Sequence, residues 1–242
     1  RAHASIVGIA QYLPAVSGFL LEKELETLTG LLRNPGKPFA ALIGGAKLAT
    51  KLGVLNNMIS KVDYLLIGGG MAATFLKSQG YGVGSSKVED NQIGPVRNVV
   101  SKAKSAGVEL VLPQDFLVAE KLQSGATTRV VPMDKVPKGW IITDIGNKSV
   151  EVFTKVLEKC KTVFWNGPLG VFEIAEFGEG TRSLAKVLTN LKATTIIGGG
   201  STAEAVEETG LTDKMSYVST GGGASMELLQ GKELAGVTVL QD

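Results

Sequence analysis

The sequence has a single cysteine, Cys160, and a single histidine, His3, in 242 residues. One thiol excludes an internal disulfide, and so few nitrogen and sulfur ligands leave no dedicated transition-metal cluster. A histidine-based acid–base–nucleophile triad is excluded as well, because His3 stands alone beside a terminus. Charge of one sign is also scarce. The 25 Lys and Arg against 23 Asp and Glu give a net charge of +2, too little to make nucleic acid or a membrane surface an expected partner. No apolar run approaches the roughly 18 residues that a membrane-crossing helix needs. Arg1-Ala2-His3-Ala4-Ser5 shows neither an initiator methionine nor the basic–apolar–small order of a secretory signal. The chain therefore reads as one piece of a longer protein.

Glycine is what the chain has in abundance, 31 residues, and the glycines stand where apolar runs stop. An apolar run at 39–43 ends in Gly44-Gly45, one at 64–67 in Gly68-Gly69-Gly70, and one at 140–145 in Gly146. Runs at 162–165, 194–197 and 217–220 end in Asn166-Gly167, Gly198-Gly199-Gly200 and Gly221-Gly222-Gly223. Helical spacing follows at 47–61, 71–79, 92–105, 149–160, 180–191, 201–211 and 224–229. Shorter strands are expected at 5–10, 108–112, 116–119 and 127–131. Strands alternating with helices imply an α/β domain: a Rossmann-like, three-layer arrangement with a mainly parallel sheet of about six strands and helices on both faces. Right-handed connections place every strand's C-terminal end on one edge of that sheet, where open α/β sheets bind ligands. The six glycine turns are expected to gather there. Read blandly, each glycine is only a turn former, but that does not explain why they collect at strand ends and not at strand starts.

Of these turns, 194–204 carries the plainest chemistry. A β-prone run meets three glycines, and Ser201 and Thr202 then open a helix. Unpaired N–H groups at such a terminus attract anions, and glycine lets a ligand approach the backbone. No Gly-x-x-x-x-Gly-Lys-Ser/Thr occurs, and the nearest Gly-x-Gly spacing, at Gly80 and Gly82, follows a helix instead of a strand, so neither a P-loop nor a dinucleotide oxidoreductase fits well. Lys47 and Lys51, four residues apart after Gly44-Gly45, are placed to share one helix face and to neutralise phosphate. Phosphoryl transfer is mostly positioning and charge stabilisation, so it needs no side-chain nucleophile.

Four stretches together resemble the phosphoglycerate kinase family: Gly-Gly-Ala-Lys-Leu-Ala-Thr-Lys at 44–51, Gly-Gly-Gly-Met-Ala at 68–72, Trp-Asn-Gly-Pro-Leu-Gly-Val-Phe-Glu at 165–173 and Ser-Thr-Gly-Gly-Gly-Ala-Ser at 219–225. The resemblance runs the length of the chain and implies the carboxy-terminal, nucleotide-binding half of that family, preceded by its interdomain helix. It implies reversible phosphoryl transfer between ATP and 3-phosphoglycerate, giving ADP and 1,3-bisphosphoglycerate, with Mg²⁺ arriving on the nucleotide. Lys51 would contact the transferring group, with Lys47 as its neighbour. Gly44, Gly45, Gly69, Gly70 and Gly146 would form flat walls for the adenine, and Asn166, Pro168 and Val171 would line the nucleoside pocket. Glu173 would accept hydrogen bonds from the ribose hydroxyls, as suits a carboxylate facing a diol. Gly198, Gly199, Gly200, Ser201 and Thr202 would cradle the phosphates. Thr220, Gly221, Gly222 and Gly223 would present amides to the phosphoryl group in flight, making Gly221 and Gly222 catalytic. Arg1 would belong to a basic cluster that holds 3-phosphoglycerate, most of it on an absent amino-terminal domain.

The resemblance divides the chain into an interdomain segment and hinge helix (1–35, with the helix at 19–32), a nucleotide domain (36–233) and a tail returning toward the missing domain (234–242). It implies a cytoplasmic or organelle-stromal protein, a monomer at full length, with this chain alone inactive. Two departures stand out. Ser201 occupies a position where the family carries a magnesium-holding aspartate, leaving Ser201 or Glu204 to hold Mg²⁺ through water. Asn147 and Lys148 replace a Gly-Pro-x-Thr-like turn. Ser201 also fits a different class of function, a nucleotide-binding module without catalysis.

Overall fold

The computed structural model describes residues 1–240. A long helix, α1 (Phe19–Arg33), precedes the alternating part of the chain. Leu28 and Leu31 on α1 are buried, while Phe19 and Leu20 remain exposed. After Pro35, which cannot donate a backbone hydrogen bond to continue the helix, the chain enters β1 (Phe39–Ile43), whose five side chains are all buried. A strand buried on both faces requires cover on both sides.

The following elements supply that cover. They are α2 (Leu52–Met58), β2 (Tyr64–Ile67), α3 (Met71–Ser78), α4 (Ile93–Ser105), β3 (Glu109–Val111), β4 (Asp115–Ala119), β5 (Thr128–Pro132), β6 (Ile141–Ile145), α5 (Asn147–Leu157), β7 (Thr162–Asn166), α6 (Glu179–Asn190), β8 (Thr194–Gly198), α7 (Gly200–Glu207), β9 (Tyr217–Val218), α8 (Gly222–Leu229) and α9 (Ala235–Thr238). Six strands form one sheet in the order β3-β2-β1-β7-β8-β9, and all five neighbouring pairs are parallel. One set of helices (α1, α2, α3, α4, α8) packs together, and α5, α6 and α7 form another. The result is a three-layer, Rossmann-like α/β domain.

Two features of this sheet position the site. Strand order runs outward in one direction from β1 and in the other from β7, so the β1/β7 boundary is the topological switch point, where open sheets leave a crevice. The register brings the strand ends level. Ile43 lies opposite both Ile67 and Asn166, and Asn166 lies opposite Gly198, so the turns that follow start at one height.

Three expectations from sequence are corrected. Residues 5–10 form no strand. Ala4–Gly8 and Ile9–Gln11 are single helical turns that pair with no strand of either sheet. The helix expected at 47–61 is divided: a 3₁₀ turn, Leu48–Thr50, precedes α2, and Lys51 joins the two. Finally, β6 belongs to a separate sheet, β5-β4-β6, in which both pairings are antiparallel. The connecting stretch 120–127 is too short for the crossover that a parallel β4/β5 pair requires, and the chain then returns across β4 by 133–140 to place β6 on its other side. Gly146, at the end of β6, therefore does not join the other glycine turns.

Candidate functional site

A cavity of about 390 Å³ opens at the β1/β7 switch point, with Gly45, Lys47 and Lys51 on one side, Asn166 and Gly167 at its floor, and Gly199–Thr202 and Gly222–Gly223 opposite. A second cavity, about 260 Å³, adjoins it and is lined by Gly69, Gly70, Ile142, Thr143, Val171 and Glu173. Gly45, Ala46, Pro168 and Ser201 line both. A larger cavity of about 690 Å³ between α1 and the chain's last segments lies away from the strand ends.

The strap 166–173 divides the two chambers and is fixed at nearly every residue. The carbonyl oxygens of Asn166, Pro168 and Leu169 accept the N–H groups of Gly44 (2.8 Å), Gly45 (2.8 Å) and Gly69 (3.1 Å), and Val171 N–H donates to Thr143 O (2.8 Å). Gly167 N–H donates to Thr202 Oγ1 (2.6 Å) and Leu169 N–H to Thr181 Oγ1 (3.0 Å). Gly69 has φ of +65°, and a Cβ there would strike the Pro168 carbonyl and Gly45 backbone, so only glycine permits the strap to lie this close.

The cavities differ in character. In the larger one, no protein acceptor takes the N–H of Gly200, Ser201, Gly222 or Gly223 among the described residues. These belong to the first turns of α7 and α8, so four donors and two helix dipoles face one space. Lys51 supplies the cation. Its Nζ donates to Asn166 Oδ1, and burial lowers its pKa to about 8, so it remains charged at neutral pH. Asn166 is fully buried, and its Nδ2 donates to Gly198 O at 2.5 Å, linking the lysine to the glycine turn. The smaller cavity is a slot with a flat glycine face at Gly45, Gly69 and Gly70 and an apolar face including Ile142, Leu169 and Val171. That combination suits a planar ring, and exposed Glu173 stands among its lining residues.

Most of the residues picked out from the sequence come together here, with refinements. Gly44 and Gly198 lie beneath the cavities, using their backbone groups to hold the floor. Thr202 lines the larger cavity, but its hydroxyl is spent on Gly167 N–H and Gly198 O. Thr220 N–H donates to Glu24 Oε1 (2.5 Å) and Gly221 N–H to Ser219 Oγ (3.3 Å), which leaves Gly222 and Gly223 as the open amides of that loop. Gly146 lines neither cavity. It precedes α5 and packs against the Asp115 carboxylate. Arg1 is exposed and lines neither cavity.

Some site residues carried no sequence signal. Ile142 and Thr143 reach the slot from the second sheet. Glu24 of α1 is 7% exposed, and it accepts from Thr220 N–H and from the Ser219 (2.9 Å) and Thr220 (3.1 Å) hydroxyls. A buried charge on an otherwise amphipathic helix becomes legible only once its partner is known. Asp144, behind the strap, accepts the N–H groups of Gly180 (2.7 Å) and Ile145 (2.8 Å). Burial raises its pKa to about 7 despite those two donors and nearby Arg182. For a divalent cation the site offers little of its own. Among the described residues no carboxylate lines the 390 Å³ cavity, where Ser201 and Thr50 supply the side-chain hydroxyls not tied to the floor.

The phosphoglycerate kinase family model matches residues 1–232. The chain belongs to the phosphoglycerate kinase family. It is 52% identical to the cytosolic phosphoglycerate kinase of Nicotiana tabacum, over all of this chain and 61% of that protein. It is 50% identical to the phosphoglycerate kinase of Roseiflexus sp., again over 61% of the relative. Among solved structures, phosphoglycerate kinase from Coxiella burnetii superposes with a TM-score of 0.94 at 43% identity, covering 99% of this chain and 62% of that one. The chain thus spans about three fifths of the length of these phosphoglycerate kinases.

Proposed function

We propose that this chain is the carboxy-terminal, nucleotide-binding half of a phosphoglycerate kinase, which moves a phosphoryl group reversibly between ATP and 3-phosphoglycerate. The observation that carries the reading is the pair of joined cavities at the switch point: a flat slot for the base, and beside it four amides without a protein acceptor among the described residues and one half-buried lysine for the phosphates. Gly45, Gly69 and Gly70 stack against the adenine, Val171 closes the other face, and Glu173 accepts from the ribose hydroxyls. Gly200 and Ser201 hold the inner phosphates through their N–H groups. The γ-phosphoryl leaves its β-bridging oxygen for a carboxylate oxygen of 3-phosphoglycerate, while Lys51, with Lys47 at the rim, and the Gly222 and Gly223 amides offset the charge on its oxygens. The magnesium–nucleotide complex is the substrate. Magnesium binds chiefly through phosphates and water, and Ser201 is the residue placed to meet its water shell.

The remaining two fifths of the relatives' length is the natural carrier of the 3-phosphoglycerate site, with Arg1 contributing from this chain. The exposed apolar side chains Ile6, Ile9, Tyr12, Leu13, Val16, Phe19 and Leu20 support residues 1–35 as an interdomain segment, with 36–233 as the nucleotide domain. The tail at 234–242 would return toward the missing part; its last two residues, Gln241 and Asp242, lie outside the described residues. On this reading the chain alone binds nucleotide without turnover, and the full-length protein is a monomer; a cytosolic location is in line with the name of the tobacco relative.

A second reading, a nucleotide-binding module without catalysis, is favoured by the lack of a carboxylate among the described residues that line the 390 Å³ cavity. A coupled assay on the sequence extended to the relatives' full length, run beside calorimetry of ADP binding to this chain, separates them. ADP binding with turnover at full length supports the kinase, ADP binding without turnover supports the module, and no ADP binding contradicts both.

A further inference from the structure

The turn that carries the lysines is not held by its own sequence. The 3₁₀ turn Leu48–Thr50 begins at Lys47, whose side chain makes no capping bond. Lys51 and α2 follow, and the chain turns again at Lys51. A three-residue turn in a glycine-led loop has little intrinsic persistence. Its first two amides point outward, and both are taken by one distant carboxylate. Leu48 N–H donates to Glu89 Oε1 (2.6 Å) and Ala49 N–H to Glu89 Oε2 (3.2 Å). Glu89 is fixed in turn, because its own N–H donates to the hydroxyl of Thr74 on α3 (3.2 Å), and Thr74 is 1% exposed. Two further points hold the turn: the Leu48 side chain is fully buried, and Lys51 Nζ reaches Asn166 Oδ1.

We propose that Glu89 is a positioning residue for Lys51: by gripping both amides of the Leu48–Thr50 turn, its carboxylate sets the lysine against Asn166 and keeps those amides out of any contest for phosphate. The inference rests on the reading that the larger cavity takes the phosphates of a nucleotide. It makes a prediction opposite in sign to simple electrostatics. Charge alone says that deleting a carboxylate close to a polyphosphate site tightens anion binding. Positioning says that deletion weakens it, because the lysine is released from the cavity wall toward water.

The test uses the 242-residue chain with ADP in calorimetry and with ¹³C-labelled lysine in NMR titrations, for Glu89→Ala and for Glu89→Gln, which keeps one oxygen acceptor. ADP affinity falls on the order of tenfold in Glu89→Ala, as expected for a mis-set charge-assisted contact, and recovers part of the way in Glu89→Gln. In parallel, the Lys51 midpoint moves from about 8 toward the ordinary 10.5 in Glu89→Ala, with Glu89→Gln between the two. Unchanged or tighter ADP binding with an unmoved Lys51 midpoint overturns the proposal. Failure of the parent chain to bind ADP overturns the nucleotide reading instead, and the Lys51 midpoint then decides the role of Glu89 by itself. Should Glu89→Ala not fold, Glu89→Gln gives the same two readouts at smaller amplitude.

Discussion

Two helices leave their strands through the same kind of turn, and only one of them presents a seat for an anion. β6 ends at Gly146 and starts α5; β8 ends in Gly198-Gly199 and starts α7. At α5 the Asp115 carboxylate accepts the N–H groups of Lys148 (3.2 Å) and Ser149 (2.8 Å) and the Ser149 hydroxyl (2.6 Å). At α7 the amides of Gly200 and Ser201 find no protein acceptor among the described residues. Gly199, with φ of +90°, carries no side chain that would run into Asn166. The difference does not lie in the glycines. It lies in whether a carboxylate from elsewhere in the chain already fills the helix terminus. Asp115 does so at α5, Asp144 at Gly180 of α6, Glu89 at the turn before α2 and Glu24 at Thr220. Among the described residues, the open amides of α7 and of the Gly222–Gly223 end of α8 share one cavity with Lys51, the cavity that the proposed function gives to phosphate.

The sharpest way to break this comparison is to remove the internal anion. Asp115→Ala orphans the Lys148 and Ser149 amides, while the Ser149 hydroxyl keeps the backbone carbonyl of residue 115 as acceptor (2.8 Å), and should cost about 3 kcal/mol of stability from those unsatisfied groups. ADP affinity should stay where it was. A denaturant series with calorimetry on the same samples checks both, and a large loss of ADP binding would mean that α5 takes part in the site. Next in size is Lys51→Met, which removes the half-buried cation from the open seat. ADP binding should weaken about 100-fold, on the scale of a charge-assisted contact in a confined site. The same lysine sets a pH dependence. On the proposed function its charged form serves the phosphates, and its pKa is lowered to about 8, so affinity should decline as pH rises through that value, by up to about tenfold per unit. Lys51→Met should lose that slope.

Much of the open seat was legible in the sequence and little of the closed one. The apolar runs at β1 and β8, the glycines behind them and Lys51 are local signals, and parallel connectivity brings them together without further information. Gly146 carries the same local signal, yet its strand lies in the second sheet and its helix is capped by a residue 34 positions away. Glu89 is 41 positions from Leu48, and Glu24 is 196 from Thr220. Nothing in the spacing of such residues announces a pairing, because a carboxylate on a helix or loop reads as a solvated charge until the fold delivers its partner. The short connection between β4 and β5 did carry information against a parallel pairing of those two strands, through the length that a crossover needs. The division of the expected 47–61 helix at Lys51 had no such sign.

Smaller effects sharpen the contrast further. Asp144 holds the α6 terminus from a buried position, and its pKa is raised to about 7. The folded chain therefore keeps a proton that the unfolded chain has lost, and this carboxyl's contribution to stability should fall as pH rises from about 4 to about 7. Asp144→Asn keeps the acceptor oxygen and should flatten that part of the melting-temperature profile; an unchanged profile would show that Asp144 titrates normally. Smallest is Ser201→Asp, at the open seat itself. ADP affinity of the parent chain should already depend on Mg²⁺, and the new carboxylate should deepen that dependence only a few-fold, about 1 kcal/mol. No dependence at all in the parent chain would remove Ser201 from any role toward the metal.

The most direct test of the open and closed termini is an ADP titration of the ¹⁵N-labelled chain followed amide by amide. The account predicts saturable shifts at Gly200, Ser201, Gly222 and Gly223, with Lys148 and Ser149 unmoved. Shifts at Lys148 and Ser149, or none at Gly200 and Ser201, would contradict it.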